Sequence, residues 1–119
     1  MSSKPTAQSP QPTAQERNEL YPIFLKLHNL SVLIVGGGNV GLEKLSFLLK
    51  SSPNAKVEVV APRFISELVT LAESHPTVKL TKKRFKKKML KKRHMVIACT
   101  DVLKVNKRVY DLSRKRYLI

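Results

Sequence analysis

Two rhythms of apolar positions alternate along the chain. Ser31 Val32 Leu33 Ile34 Val35 is short, rich in β-branched residues and apolar beyond its first position, and it stops at Gly36, as a buried strand does. From Asn39 to Lys50 the apolar residues Val40, Leu42, Leu45, Leu48 and Leu49 recur at helical spacing, and Ser51 Ser52 Pro53 Asn54 closes the run. The alternation continues with a strand over 56–60, a helix over 65–74 with Ile65, Leu68, Val69 and Ala72 on one side, and a short strand over 78–80. A fourth strand covers 95–99, a helix over 102–115 carries Val105, Val109 and Leu112, and Tyr117 Leu118 Ile119 opens a fifth strand. Strands apolar along their length that alternate with helices indicate a parallel sheet covered on both faces. The expectation is one three-layer α/β domain over 20–119. Residues 1–19 are Pro, Ser, Thr and Gln rich and too poor in apolar side chains to offset the entropy of ordering, so they are expected to form a disordered polar tail.

The turn after the first strand carries the candidate chemistry. Gly36, Gly38 and Gly41 form G-x-G-x-x-G, a weak pattern alone but here placed between a predicted strand and a predicted helix. In that setting Gly36 permits the tight turn, Gly38 lets backbone approach a pyrophosphate, and Gly41 lets helix and strand pack closely. The free N–H groups at the helix start then face the anion. The fold is therefore expected to be Rossmann-like, with strand order 3-2-1-4-5 and a dinucleotide above strands one, two and four. The competing reading is a glycine-rich turn with no ligand. A carboxylate for the adenosine ribose is expected about 20 residues past the glycines, yet the second strand ends Val59 Val60 Ala61 Pro62 Arg63. Glu58 falls inside the strand and Glu67 in the next helix. Arg63 at the strand tip suits either an NADP 2′-phosphate or plain solvent.

Composition narrows the partners. The chain has 23 Lys and Arg against 8 Asp and Glu, a formal net charge of +15, which attracts polyanions at moderate ionic strength. One cysteine, Cys99, cannot form an intrachain disulfide, and with His28, His75 and His94 scattered no metal site is expected. A reducing cytoplasm is the expected compartment. No apolar run approaches 18 residues, and the first 16 contain no signal-peptide core, so no membrane partner is expected.

Taken together, Pro22 Ile23 Phe24 Leu25, then Val32 to Val40 with Lys44, then Val59 Val60 Ala61 Pro62, and finally Val96 to Asp101 with Asn106 resemble the dehydrogenase domain of siroheme synthase and the stand-alone precorrin-2 dehydrogenases, some of which are also sirohydrochlorin ferrochelatases. The resemblance covers roughly 20–119. It implies NAD-dependent oxidation of precorrin-2 to sirohydrochlorin in siroheme biosynthesis, with a polycarboxylate tetrapyrrole as substrate and a homodimer as the family's assembly. Carried over by position, Gly36, Gly37, Gly38, Asn39 and Val40 line the pyrophosphate, and Pro62 and Arg63 lie at the adenosine end. Thr100 and Asp101 sit beside the crevice at the carboxyl end of the fourth strand; Asp101 is equally open to being the N-cap of the following helix. The family's fifth strand continues into an Asn-Val-x-Asp-like segment that holds its main catalytic candidate. This chain stops at Ile119, short of it, and no catalytic residue is expected within the 119 positions.

Lys82 to Arg93 departs from the family, with nine basic residues in twelve. Phe85, Met89 and Leu90 are apolar anchors within it, so the expected arrangement is a packed segment with solvated charges. Such a surface also steers a polyanionic substrate. Two competing functions remain: a nucleic-acid-binding module, against which the shortage of interleaved aromatics speaks, and a non-catalytic dinucleotide-binding regulator. Cys99 is read as core filling, and Tyr110 and Tyr117 as packing against the sheet.

Overall fold

The structure is a computed structural model that describes residues 26–115. The tail expected over 1–19, the fifth strand and Tyr117 lie outside the described residues. A 3₁₀ turn at Leu27–Asn29 leads into β1 (Ser31–Val35), and the chain then alternates through α1 (Asn39–Ser51), β2 (Lys56–Ala61), α2 (Ser66–Glu73), β3 (Val78–Lys82), β4 (Met95–Ala98) and α3 (Leu103–Lys115). The four strands form one parallel sheet in the order β3-β2-β1-β4, as expected for strands one to four. Val35 pairs with both Val60 and Ala98, so β1, β2 and β4 end side by side.

Because side chains alternate across a strand, each apolar strand supplies two cores. Val32, Ile34, Val57 and Val59 face one side, where Leu45, Leu48 and Leu49 of α1 and Leu68 of α2 cover them. Leu33, Val35 and Val60 face the other, under Val109 of α3 and Leu90. Leu33, Ile34, Leu45 and Leu68 have no solvent exposure, and each fully buried aliphatic side chain contributes roughly 1.5–3 kcal/mol.

The connection from β3 to β4 forms no α-helix. Its only regular piece is a 3₁₀ turn at Lys87–Leu90, which buries Leu90 while Phe85 and Met89 pack beside it. Lys82, Lys83, Arg84, Lys86, Lys87, Lys88, Lys91 and Lys92 are exposed, matching the expected division between apolar anchors and solvated charges. Arg93 behaves differently: its guanidinium pairs with Glu58 on β2, and its Nε donates to the Met89 carbonyl at 2.9 Å. Thr81 of β3 donates its hydroxyl to the same Glu58 carboxylate. Burial raises the Glu58 pKa, but the Thr81 hydroxyl, the Arg93 guanidinium and Lys79 pull it down further and leave it below its ordinary value. At the far end of β1, Ser31 N–H donates to His94 Nδ1 and the His94 N–H to the Ser31 carbonyl, both at 2.9 Å.

One packing expectation fails. Tyr110 lies on the outer side of α3, 58% exposed, with the Arg114 guanidinium 5.7 Å from its ring centroid. Its helical position turns away from the sheet because Val109 takes the buried place.

Candidate functional site

Three of the four glycines have structural reasons to be glycine. Gly36 leaves β1 with φ of 146°, where a side chain is strained, and a Cβ there would lie 2.7 Å from the Cys99 carbonyl oxygen. A Cβ on Gly37 would lie 2.1 Å from the Arg63 carbonyl oxygen, so the loop after β2 rests on the glycine loop, and the Ile65 N–H donates to the Gly37 carbonyl at 2.9 Å. A Cβ on Gly41 would come within 2.3 Å of the Gly36 carbonyl oxygen, which holds α1 against the strand end.

Gly38 is the exception. It is exposed, and a Cβ there would meet nothing within 4 Å. It caps α1 without a side-chain hydrogen bond, and the first turn holds no acid. Gly38 thus leaves open space at the start of a thirteen-residue helix, the arrangement that suits close approach by a phosphate to its opening N–H groups.

The ends of β1, β2 and β4 enclose a cleft of about 810 Å³. All nine residues singled out from the sequence line it: Gly36, Gly37, Gly38, Asn39 and Val40 on one wall, Pro62 and Arg63 on a second, Thr100 and Asp101 on a third. Phe64, Ile65, Cys99 and Val102 add apolar surface. Sequence reasoning brought these three segments together only through the order of the strands, and the parallel pairing of β1 with both neighbours is what does so physically.

Asn106 fixes the third wall. Its Oδ1 accepts from the Thr100 N–H at 3.0 Å and its Nδ2 donates to the Thr100 carbonyl at 2.9 Å. The Thr100 hydroxyl accepts from the Val102 N–H at 3.1 Å at the entry to α3. The turn into this helix is therefore held by Thr100 and Asn106. The Asp101 side chain is exposed and makes no hydrogen bond among the described residues, which removes the N-cap reading and leaves it a lining residue of the cleft. Burial raises the Cys99 pKa, against a smaller pull from Lys44, and its Sγ lies 3.5 Å from the Val35 carbonyl. The thiol is a protonated packing group, as expected.

A second, smaller cleft of about 330 Å³ adjoins the first on the α3 side of the sheet. It shares Ala61, Pro62, Arg63, Thr100 and Val102 with the main cleft and adds Val35, Val60, Arg84, Phe85 and Val105. Sequence reasoning absorbed Arg84 and Phe85 into the basic run. The available signal was position, since both follow β3 and ligands of open α/β sheets sit at the carboxyl ends of strands.

The arrangement suits a dinucleotide: an open glycine at a helix start for the diphosphate, and apolar walls at either side of it. Among the described residues no group of three or more His, Cys, Asp or Glu side chains could hold a metal ion, and no helix is long and apolar enough to cross a membrane.

Residues 23–119 match the family model described as "Putative NAD(P)-binding". Among curated relatives, the chain is 46% identical over 92 residues to siroheme synthase of Pseudoalteromonas translucida (strain TAC 125), which covers 77% of this chain and 19% of that protein. It is 40% identical over 91 residues to siroheme synthase of Chromobacterium violaceum, covering 76% and 19%. Among solved structures, SirC, precorrin-2 dehydrogenase, superposes with a TM-score of 0.67 at 27% identity, covering 76% of this chain and 44% of that one. The chain thus spans about a fifth of the length of the curated relatives it matches.

Proposed function

The chain belongs to this NAD(P)-binding family, and from that premise we propose that it is the dinucleotide-binding part of a precorrin-2 dehydrogenase, acting in the oxidation of precorrin-2 to sirohydrochlorin in a reducing cytoplasm. Gly38 carries the reading. It is the one glycine of the motif for which the fold alone supplies no reason, and it opens the main cleft to a diphosphate. The likeness to siroheme synthases and to SirC supports the choice of substrate.

When bound, the dinucleotide supplies the hydride acceptor. The work of this chain is binding and orientation. Gly36, Gly37, Gly38, Asn39 and Val40 hold the diphosphate against the α1 N–H groups, and Pro62 and Arg63 border the adenosine. Thr100, held by Asn106, and Asp101 stand at the β4 end of the cleft, where they would border the nicotinamide. NAD is the acceptor that the resemblance implies, and its diphosphate and nicotinamide ends are those of NADP. The eight exposed basic side chains between Lys82 and Lys92 raise the local concentration of a polycarboxylate tetrapyrrole.

The test is to titrate the chain with either dinucleotide, with and without precorrin-2. Saturable dinucleotide binding that precorrin-2 tightens is the expected result. Saturable binding that precorrin-2 leaves unchanged would make the chain a non-catalytic binding module instead. Tight retention of duplex or single-stranded probes at moderate salt, with no dinucleotide binding, would favour the nucleic-acid reading.

A further inference from the structure

The two faces of the sheet differ in charge as well as in cover. On the side of α1 and α2, Glu43, Glu67 and Glu73 offset Lys44 and Lys50, all of them exposed. On the other side, α3 and the 3₁₀ turn of the basic connection pack against each other over the second core. To the eight exposed basic side chains between Lys82 and Lys92, α3 adds Lys104, Lys107, Arg108, Arg114 and Lys115, which are also exposed. Among the described residues, the acids on this side are Glu58, held by Arg93 and Thr81, Asp111, paired with Lys107, and Asp101 at the cleft.

Packing does not require this excess. The second core takes only Phe85, Met89 and Leu90 from the connection, and unneutralised like charges repel one another and destabilise the compact state. Nor do these cations build the dinucleotide cleft, since Arg84 alone among them borders either cavity. A basic surface confined to one side is the electrostatic footprint of a phosphate backbone.

Tyr110 narrows the choice of polyanion. The basic run exposes no aromatic ring of its own, because Phe85 packs on the core. Tyr110 supplies one from α3: it is 58% exposed, with Lys107 and Arg114 beside it at helical spacing and the Arg114 guanidinium 5.7 Å from its ring centroid. Exposed rings next to cations stack with the bases of a single strand. A lipid surface calls instead for apolar side chains that enter the headgroup boundary from within the basic run. Here Phe85, Met89 and Leu90 are committed to the core, and the exposed Val102 and Leu103 lie at the cleft end of α3.

We propose that the face built by α3 and the connection from β3 to β4 binds single-stranded nucleic acid without regard to sequence, with lysine and arginine heads on the phosphates and Tyr110 stacked on a base. This activity is independent of the dinucleotide reading of the main cleft.

Fluorescence anisotropy of the 119-residue chain with a labelled, mixed-sequence single-stranded DNA of about 16 nucleotides tests it. Saturable binding is expected, with an affinity that falls at least about a hundredfold between roughly 50 and 200 mM salt, the dependence of six or more phosphate contacts. Lys87→Glu/Lys88→Glu should weaken binding at least about tenfold, and Lys44→Glu/Lys50→Glu, an equal change of net charge on the other side, less than about threefold. Tyr110→Ala should weaken it at least about fivefold. Each variant should keep a cooperative urea transition, which reports that it folds. Absence of binding would overturn the proposal, as would equal losses from the two lysine pairs, which would assign the affinity to net charge. Unchanged affinity in Tyr110→Ala would overturn the stacking and with it the single strand. Retention on phosphatidylserine vesicles at a salt concentration that releases the DNA would overturn it in favour of a lipid surface. Dinucleotide titration reports on the main cleft alone, so the two readings fail separately.

Discussion

On one face of the sheet, two helices lay Leu45, Leu48, Leu49 and Leu68 over Val32, Ile34, Val57 and Val59. On the other, α3 and a four-residue 3₁₀ turn cover Leu33, Val35 and Val60 with Val109 and Leu90, and beside them lies the Glu58, Arg93 and Thr81 cluster. The first face closes by apolar burial alone, which is non-directional and tolerates small shifts. The second closes partly through a directional ion pair between β2 and the basic connection. A chain with nine basic residues in this connection can still cover a sheet, because only Leu90, Phe85 and Met89 need to be apolar and only one cation needs an acid. The remaining charges stay in water, where ordinary hydration suffices.

The largest effect should come from the first face. Leu45→Ala removes a side chain with no exposure and should cost about 2–5 kcal/mol in urea unfolding. Leu90→Ala is expected near the lower end of that range, because a surface 3₁₀ turn settles into a gap more readily than a helix held at both ends. Equal losses would break the contrast between the faces.

Next comes the ion pair. Arg93→Ala leaves a largely buried carboxylate unpaired, with side-chain exposures of 15% and 16% in the native pair, and should cost about 1–3 kcal/mol near neutral pH. The folded-state pKa of Glu58 is depressed from 4.5. Its contribution is therefore fully present above that unfolded value and lost as pH falls through the folded one. Unfolding midpoints between pH 7 and pH 3 should show the native chain losing this increment in acid and Arg93→Ala lacking it.

Gly38→Ala should separate fold from ligand binding. The φ of −99° accepts alanine and the space is open, so stability should change by less than about 1 kcal/mol while dinucleotide affinity drops measurably by calorimetry. Gly37→Ala, driven against the Arg63 carbonyl, should damage both. The smallest effect belongs to Lys87→Glu/Lys88→Glu, expected within about 0.5 kcal/mol of the native chain by urea unfolding.

Much of this was legible without coordinates. Apolar runs with abrupt glycine or proline stops marked β1, α1, β2, α2, β4 and α3 to within a residue or two, since burial period and local turn chemistry are properties of short segments. The glycine motif after a strand pointed to the right loop, and strand alternation placed 62–63 and 100–101 beside it. Three things were decided only by the tertiary structure. Glu58 and Arg93 lie 35 positions apart, and nothing local distinguishes that arginine from its eight solvated neighbours. Asn106, and not Asp101, holds the loop before α3, because its amide turns back onto Thr100. Arg84 and Arg63 border one cleft because β3 and β2 are neighbours in register. Local pattern determines which elements form and which faces are apolar; which distant polar groups meet depends on how the packed elements are placed, since a hydrogen bond or ion pair is satisfied within a few ångströms or not at all.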